Sequence, residues 1–260
     1  GPSIARGQNH DIALICGDET VTYCQLWHSV NQAGNIFSEL GISKGDRVTL
    51  MVRDTPEFFY VYLGLMKIGA VPIALNLRLS GADVAYTVNN SAAKAIVLDD
   101  MFIEDYRQVA EDITQPPMVI TTDVEHADFY FLPKIMEPAS KELEAVELAA
   151  EDPALWMYSS GTTGKPKGVC VSHQALMSFL SWCKDWFSDN AFEHLYASTP
   201  ISFDVSVFEM FASLFCGGTL RFIRTYSELP EQSPVGLSIT AVPSVLKQFL
   251  YGQQLSPAVE

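Results

Sequence analysis

Residues 47–75 read RVTLMVRDTPEFFYVYLGLMKIGAVPIAL. Arg47 to Val52 is an apolar, β-branched run of strand length. Pro56 then stands at a favourable first helical position ahead of Phe58, Phe59, Tyr62, Leu65 and Met66, which recur at helical spacing. Gly69 closes the helix, and Ala70 to Leu75 supplies a second apolar run. Strand, helix and strand in that order predict a βαβ unit, and therefore a parallel sheet.

The same alternation continues on both sides. Ser80, with Asp83 three residues on, opens a helix in the manner of a capping box, and Ala95 to Leu98 is the next strand. Further strands are predicted at Val119–Thr121, Leu195–Ser198 and Thr219–Ile223, with a helix over Val205–Cys216. Ser172 can cap a helix whose positions Leu176, Phe179, Leu180, Cys183, Trp186 and Phe187 form a core stripe. The fold class is α/β, with helices covering the sheets. Residues 137–153 turn acidic and alanine-rich, which reads as a solvated helix or linker, the alternative being a partner-binding acidic segment. The implied organisation is a cleavage scar and lead-in over 1–10, a first α/β portion over 11–136, the acidic linker over 137–153, and a second α/β portion over 154–260.

Composition sets limits. A chain of 260 residues with 48% hydrophobic and 11% aromatic content can bury a sizeable core. A net charge of -15 with no basic cluster argues against nucleic acid as a partner. The five cysteines, at 16, 24, 170, 183 and 216, form no CxxC pair or His/Cys cluster, so they read as reduced core residues and no metal site is expected. No apolar run approaches the roughly 18 residues that span a membrane, and the expectation is a soluble, cytoplasmic protein.

Residues 158–168, YSSGTTGKPKG, carry the chemistry. Three glycines, four aliphatic hydroxyls and two lysines suit a polyphosphate, because glycine lets backbone N–H groups approach anionic oxygens while lysine supplies a point charge. A P-loop is excluded, since Pro166 follows Lys165 where a magnesium-binding Ser or Thr is required. Apolar runs Leu155–Tyr158 and Val169–Val171 flank the loop, which therefore joins two strands.

This string resembles the phosphate-binding signature of the adenylate-forming superfamily, which includes acyl-CoA synthetases, luciferases and the adenylation domains of nonribosomal peptide synthetases. The resemblance implies layered, parallel-rich β-sheets flanked by helices, as in part of the N-terminal domain of such an enzyme. It also implies ATP and Mg2+ as cofactors, an acyl-adenylate intermediate, and a mobile loop that closes over the nucleotide. On that basis Ser159, Ser160, Gly161, Thr162, Thr163, Gly164, Lys165, Lys167 and Gly168 bind ATP. Thr162 and Thr163 are placed on the β- and γ-phosphates, and Lys167 neutralises departing pyrophosphate. Lys165 is either a phosphate ligand or a solvated surface lysine.

Phe203-Asp204-Val205-Ser206 is similar to the Phe-Asp-x-Ser signature of amino-acid-activating domains, where the aspartate pairs with the substrate ammonium. Physically, a carboxylate at a pocket base favours a cationic group, and Asp204 also suits a helix cap. Local matching adds Val205, Phe208 and Thr240 to the substrate lining. Amino-acid activation for a carrier-protein thiol is the leading expectation. Thr55 to Phe59 and Asn76 to Arg78 look more like aryl- or acyl-CoA ligases, which makes an aryl acid with CoA the alternative. Nothing in the sequence gives His173 the partners of a triad, and His28 reads as a packing residue. The family's adenine, ribose, magnesium and C-terminal lysine motifs are not encoded in these residues. The chain is thus expected to be inactive alone, to be a noncatalytic module as a further alternative, and to self-associate through exposed apolar surface.

Overall fold

A computed structural model of the chain describes residues 10–160, 165–188, 190–223, 228–229 and 237–240. In chain order the described elements begin with β1 (Ile12–Cys16), β2 (Glu19–Thr22), α1 (Tyr23–Glu39), β3 (Arg47–Met51), α2 (Pro56–Lys67), β4 (Val71–Ala74) and α3 (Gly81–Ser91). There follow β5 (Ala95–Leu98), α4 (Ile103–Val109), β6 (Met118–Thr121), β7 (Tyr130–Phe131), α5 (Leu132–Met136), β8 (Pro153–Ser160) and β9 (Pro166–Ser172). The last are α6 (His173–Trp186), β10 (His194–Ala197), α7 (Asp204–Cys216), β11 (Thr219–Phe222) and β12 (Leu237–Ile239).

Two compact units result: a central one, Trp27–Leu176, and a split one, Gly1–Leu26 with Met177–Glu260. The acidic segment 137–153 lies inside the central unit, and the divisions fall at residues 26 and 176.

The central sheet runs β7-β6-β5-β3-β4-β8-β9 and is parallel except for the antiparallel pair β8–β9. The βαβ unit read from residues 47–75 is present, with Val48 opposite Pro72. Every residue of β4 and β5 is buried, as expected when helices cover both faces of a parallel sheet. A proline in an interior strand is unusual because it cannot donate to the ladder. Here Val71 and Leu75 donate to Asp46 and Leu50 on the β3 side, so the Pro72 nitrogen faces β8. On that side β4 and β8 are paired only at Ile73 and Trp156, and little is lost.

From β3 the chain moves to β4 on one side, then crosses back to β5 on the other, which puts the topological switch point between β3 and β5. Such points commonly open a ligand crevice at the strands' C-terminal ends. Here an ion-pair network links the strand ends. Arg53 donates to Asp99 at 2.6 Å and to Asp123 at 2.7 Å, and Asp99, 1% exposed, also accepts from the Thr122 hydroxyl.

The acidic segment is not helical between Pro138 and Asp152. Its backbone is instead held by side chains of α1: Asn31 donates to the Lys141 carbonyl, Gln32 to Met136 and Ala139, and Asn35 to Ser140 and Glu142. Leu143 packs over Gly34, while Val146 and Leu148 lie over Gly69. Carbonyls captured in this way are unavailable for helical pairing, so of the helix and linker readings the helix is the one removed.

In the split unit the sheet order is β12-β10-β11-β1-β2, parallel except for the hairpin β1–β2. Leu195, Leu220, Ala212 and Leu14 are fully buried between sheet and helix. The cysteines divide: Cys183 is buried, whereas Cys170 on β9 is exposed, against the reading of all five as core. Among the described residues no helix is long and apolar enough to cross a membrane.

Candidate functional site

The predicted loop between two strands is a β-hairpin. β8 and β9 pair from Leu155 opposite Val171 to Ser160 opposite Pro166, and residues 161–164 stand between the two strands in the sequence. Gly161, Thr162, Thr163 and Gly164, together with the Ser160 side chain, lie outside the described residues. What is described is the stem, and its two faces differ.

Side chains alternate across a strand, so Trp156 and Tyr158 share one face. Both pack against the core cluster that contains Val84, Ala85 and Val88 of α3. The Tyr158 hydroxyl donates to Asn90 Oδ1 at 2.7 Å. Burial, with Tyr86 nearby, pushes the Tyr158 hydroxyl above its ordinary range, so it stays protonated and a donor. Gly168 is the residue opposite Tyr158, and a Cβ there would stand 3.1 Å from the ring carbon Cζ. That glycine has a packing reason to be a glycine, whatever it does for phosphate.

On the other face Ser159 pairs with Lys167, and both are exposed. This face offers a hydroxyl and an ammonium, groups suited to anionic oxygens. Lys165 is exposed too, and its ammonium lies over the Tyr86 ring, 5.4 Å from the centroid.

The substrate-lining candidates lie in the split unit. Phe203 is the N-cap of α7 and makes no side-chain cap bond, while Asp204 is the first helical residue. Its carboxylate accepts from the Val205 backbone at 2.9 Å, so part of the capping role is present. Asp204 and Val205 are exposed. Phe208 faces rings of Phe179, Phe187 and Phe192 at 6.3, 5.6 and 5.7 Å, and that cluster continues to the exposed Trp182 and Trp186. Thr240 turns its hydroxyl toward Glu209.

Glu209 is a residue the sequence reading passed over. It is fully buried on α7 and accepts from the Thr199 hydroxyl at 3.0 Å, the Thr199 backbone at 3.3 Å and Thr240. One carboxylate therefore joins α7 to the residues that follow β10 and β12. Burial pushes its pKa up, partly offset by the hydrogen bonds from Thr240 and Thr199. A lone glutamate on the apolar stripe of VSVFEMFASLF was the available signal.

His173 caps nothing catalytic. Its backbone donates to Asp152, and among the described residues its buried Nε2 has no hydrogen-bond partner. Burial lowers its pKa, with Asp152 opposing. No three His, Cys, Asp or Glu side chains converge as a metal site among the described residues.

Comparison with known proteins bears on this geometry. The profile of a family described as "AMP-binding enzyme" matches residues 3–256. A 3-hydroxybenzoate--CoA/4-hydroxybenzoate--CoA ligase of Thauera aromatica is 32% identical over 223 residues, covering 85% of this chain and 43% of its own length. A crotonobetaine/carnitine--CoA ligase of Escherichia fergusonii is 31% identical over 231 residues, covering 84% and 44%. The crystal structure of a Brucella canis acyl-CoA synthetase superposes with a TM-score of 0.82 at 20% identity, covering 96% of this chain and 49% of that one, which shows a shared fold. The chain spans less than half the length of these relatives.

Proposed function

Because the chain belongs to the AMP-binding enzyme family, we propose that it is the nucleotide-phosphate-binding portion of an acid–CoA ligase that activates an aryl or acyl carboxylic acid. The observation that carries this reading is the paired stem β8–β9, on one face of which Ser159 and Lys167 stand opposite each other and exposed. The hydroxybenzoate--CoA ligase relative supports the aryl acid and the CoA thiol.

In the proposed reaction a carboxylate oxygen attacks the α-phosphorus of ATP, and the bond to the bridging oxygen breaks to release pyrophosphate. A thiolate then attacks the acyl carbon and AMP leaves. Lys167 stabilises the charge that builds on the departing pyrophosphate, and Thr162 and Thr163 donate to its oxygens. Magnesium enters as part of the nucleotide.

The test is acid-dependent exchange of labelled pyrophosphate into ATP by the longest polypeptide that contains this sequence. Exchange with benzoate-class or acyl acids is expected, and Lys167→Ala is expected to slow it about 10²-fold, in line with losing one charge-stabilising donor. No exchange with any acid would overturn the reading. A second reading, activation of an amino acid for a carrier-protein thiol, is favoured by one observation, the exposed carboxylate of Asp204 at the start of α7. Exchange with an amino acid, lost in Asp204→Ala, would select it.

A further inference from the structure

Helix α3 presents two side chains, Tyr86 and Asn90, four residues apart and hence on one helical face. Each holds a different part of the hairpin. Asn90 accepts from Tyr158 on β8, and Tyr86 lies beneath the ammonium of Lys165. Tyr158 can approach α3 because its cross-strand partner is Gly168. Trp156, on the same face of β8, packs against the core cluster to which Val84, Ala85 and Val88 of α3 belong.

From this we propose that the Tyr86/Asn90 face of α3 is a latch for the phosphate hairpin. Asn90 fixes the stem through Tyr158, and Tyr86 is the resting place of Lys165, which leaves the ring for the terminal phosphates when nucleotide binds. Tyr86, Asn90 and Tyr158 are positioning residues; Lys165 is the group they position. The stem half of the proposal stands on the hairpin geometry, while the lysine half rests on the ligase reading above. The ring and the phosphates compete for one ammonium, so the ring tunes nucleotide affinity downward.

Two measurements separate these halves. Hydrogen exchange on this chain without nucleotide compares the parent protein with Asn90→Ala and Tyr158→Phe. Loss of one hydrogen bond is expected to speed exchange over 155–172 about fivefold and leave the rest of the central unit unchanged. Unchanged exchange in the hairpin overturns the latch. Affinity for ATP is then measured in the longest polypeptide containing the sequence. Tyr86→Leu is expected to bind ATP two- to fivefold tighter, the size of an exposed cation–π contact. Tyr86→Phe, which keeps the ring, should restore the parent value, and the gain should vanish in a Lys165→Ala background. Absence of the gain, or its persistence without Lys165, overturns the resting role. If the parent protein binds no ATP the ligase reading fails, while hydrogen exchange still decides the latch.

Discussion

Glu209 shows how much one side chain can organise. Wholly enclosed, it takes hydrogen bonds from Thr199 and Thr240 and so joins the first helix turns that carry Asp204 to two strand ends. Its raised pKa means the folded protein holds the Glu209 proton more tightly than the unfolded chain does. That contribution to stability is complete below the ordinary glutamate value and is lost as pH climbs through the raised one. Thermal melts across that window should therefore decline with pH, and Glu209→Gln, which does not titrate, should flatten the decline. A decline identical in both proteins would remove Glu209 as its source. The carboxylate escaped the sequence reading because helical periodicity identifies a buried stripe without saying what a polar member of it bonds to. Gly168 was singled out for phosphate approach, but its register opposite Tyr158 becomes visible only with the strands paired.

At the level of elements, the contact between α1 and α2 depends on the absence of side chains. A Cβ on Gly64 would stand 2.9 Å from both the Gly34 nitrogen and the Val30 carbonyl, and those obstructing atoms are backbone. Alanine in a helix interior gains about 1 kcal/mol in propensity over glycine, whereas overpacking costs about 1–3 kcal/mol. Since a helix backbone cannot rotate aside, Gly64→Ala should lower the denaturant midpoint, and Gly64→Leu should lower it further. A midpoint raised by Gly64→Ala would mean the helices separate freely. Strands β3, β4, β5, β8 and β9 were legible because short apolar runs report locally on their own backbone. The Tyr158–Asn90 bond was not, as its partners are 68 residues apart and neither belongs to a repeating pattern. The acidic segment left helix and linker undecided for a related reason. Its composition suits a helix, but the amides of Asn31, Gln32 and Asn35 that capture its carbonyls lie more than 100 residues away.

For the molecule as a whole, the charge of -15 is a load on the folded state, since compaction brings like charges together. Salt shortens the reach of that repulsion to about 10 Å at 0.1 M. Melting temperature should rise as sodium chloride is added from very low concentration, and a flat response would mean the charges are already well dispersed. Fold class and the position of the hairpin could be read from sequence, because both are written in contiguous residues. The division into a central and a split unit could not, since it joins residues 1–26 to 177–260 across the chain. Glu142, Glu144, Glu147 and Glu151, on the captured segment, are exposed. The neighbouring amides of α1 grip carbonyls, a feature every residue type shares, and so read nothing of those four carboxylates. In a saturation screen those four positions should accept nearly any substitution except proline, while Asn31 and Asn35 tolerate few. The acidity that first drew attention to this stretch would then be a record of neutral drift, free to vanish from one descendant to the next while the path of the chain persists.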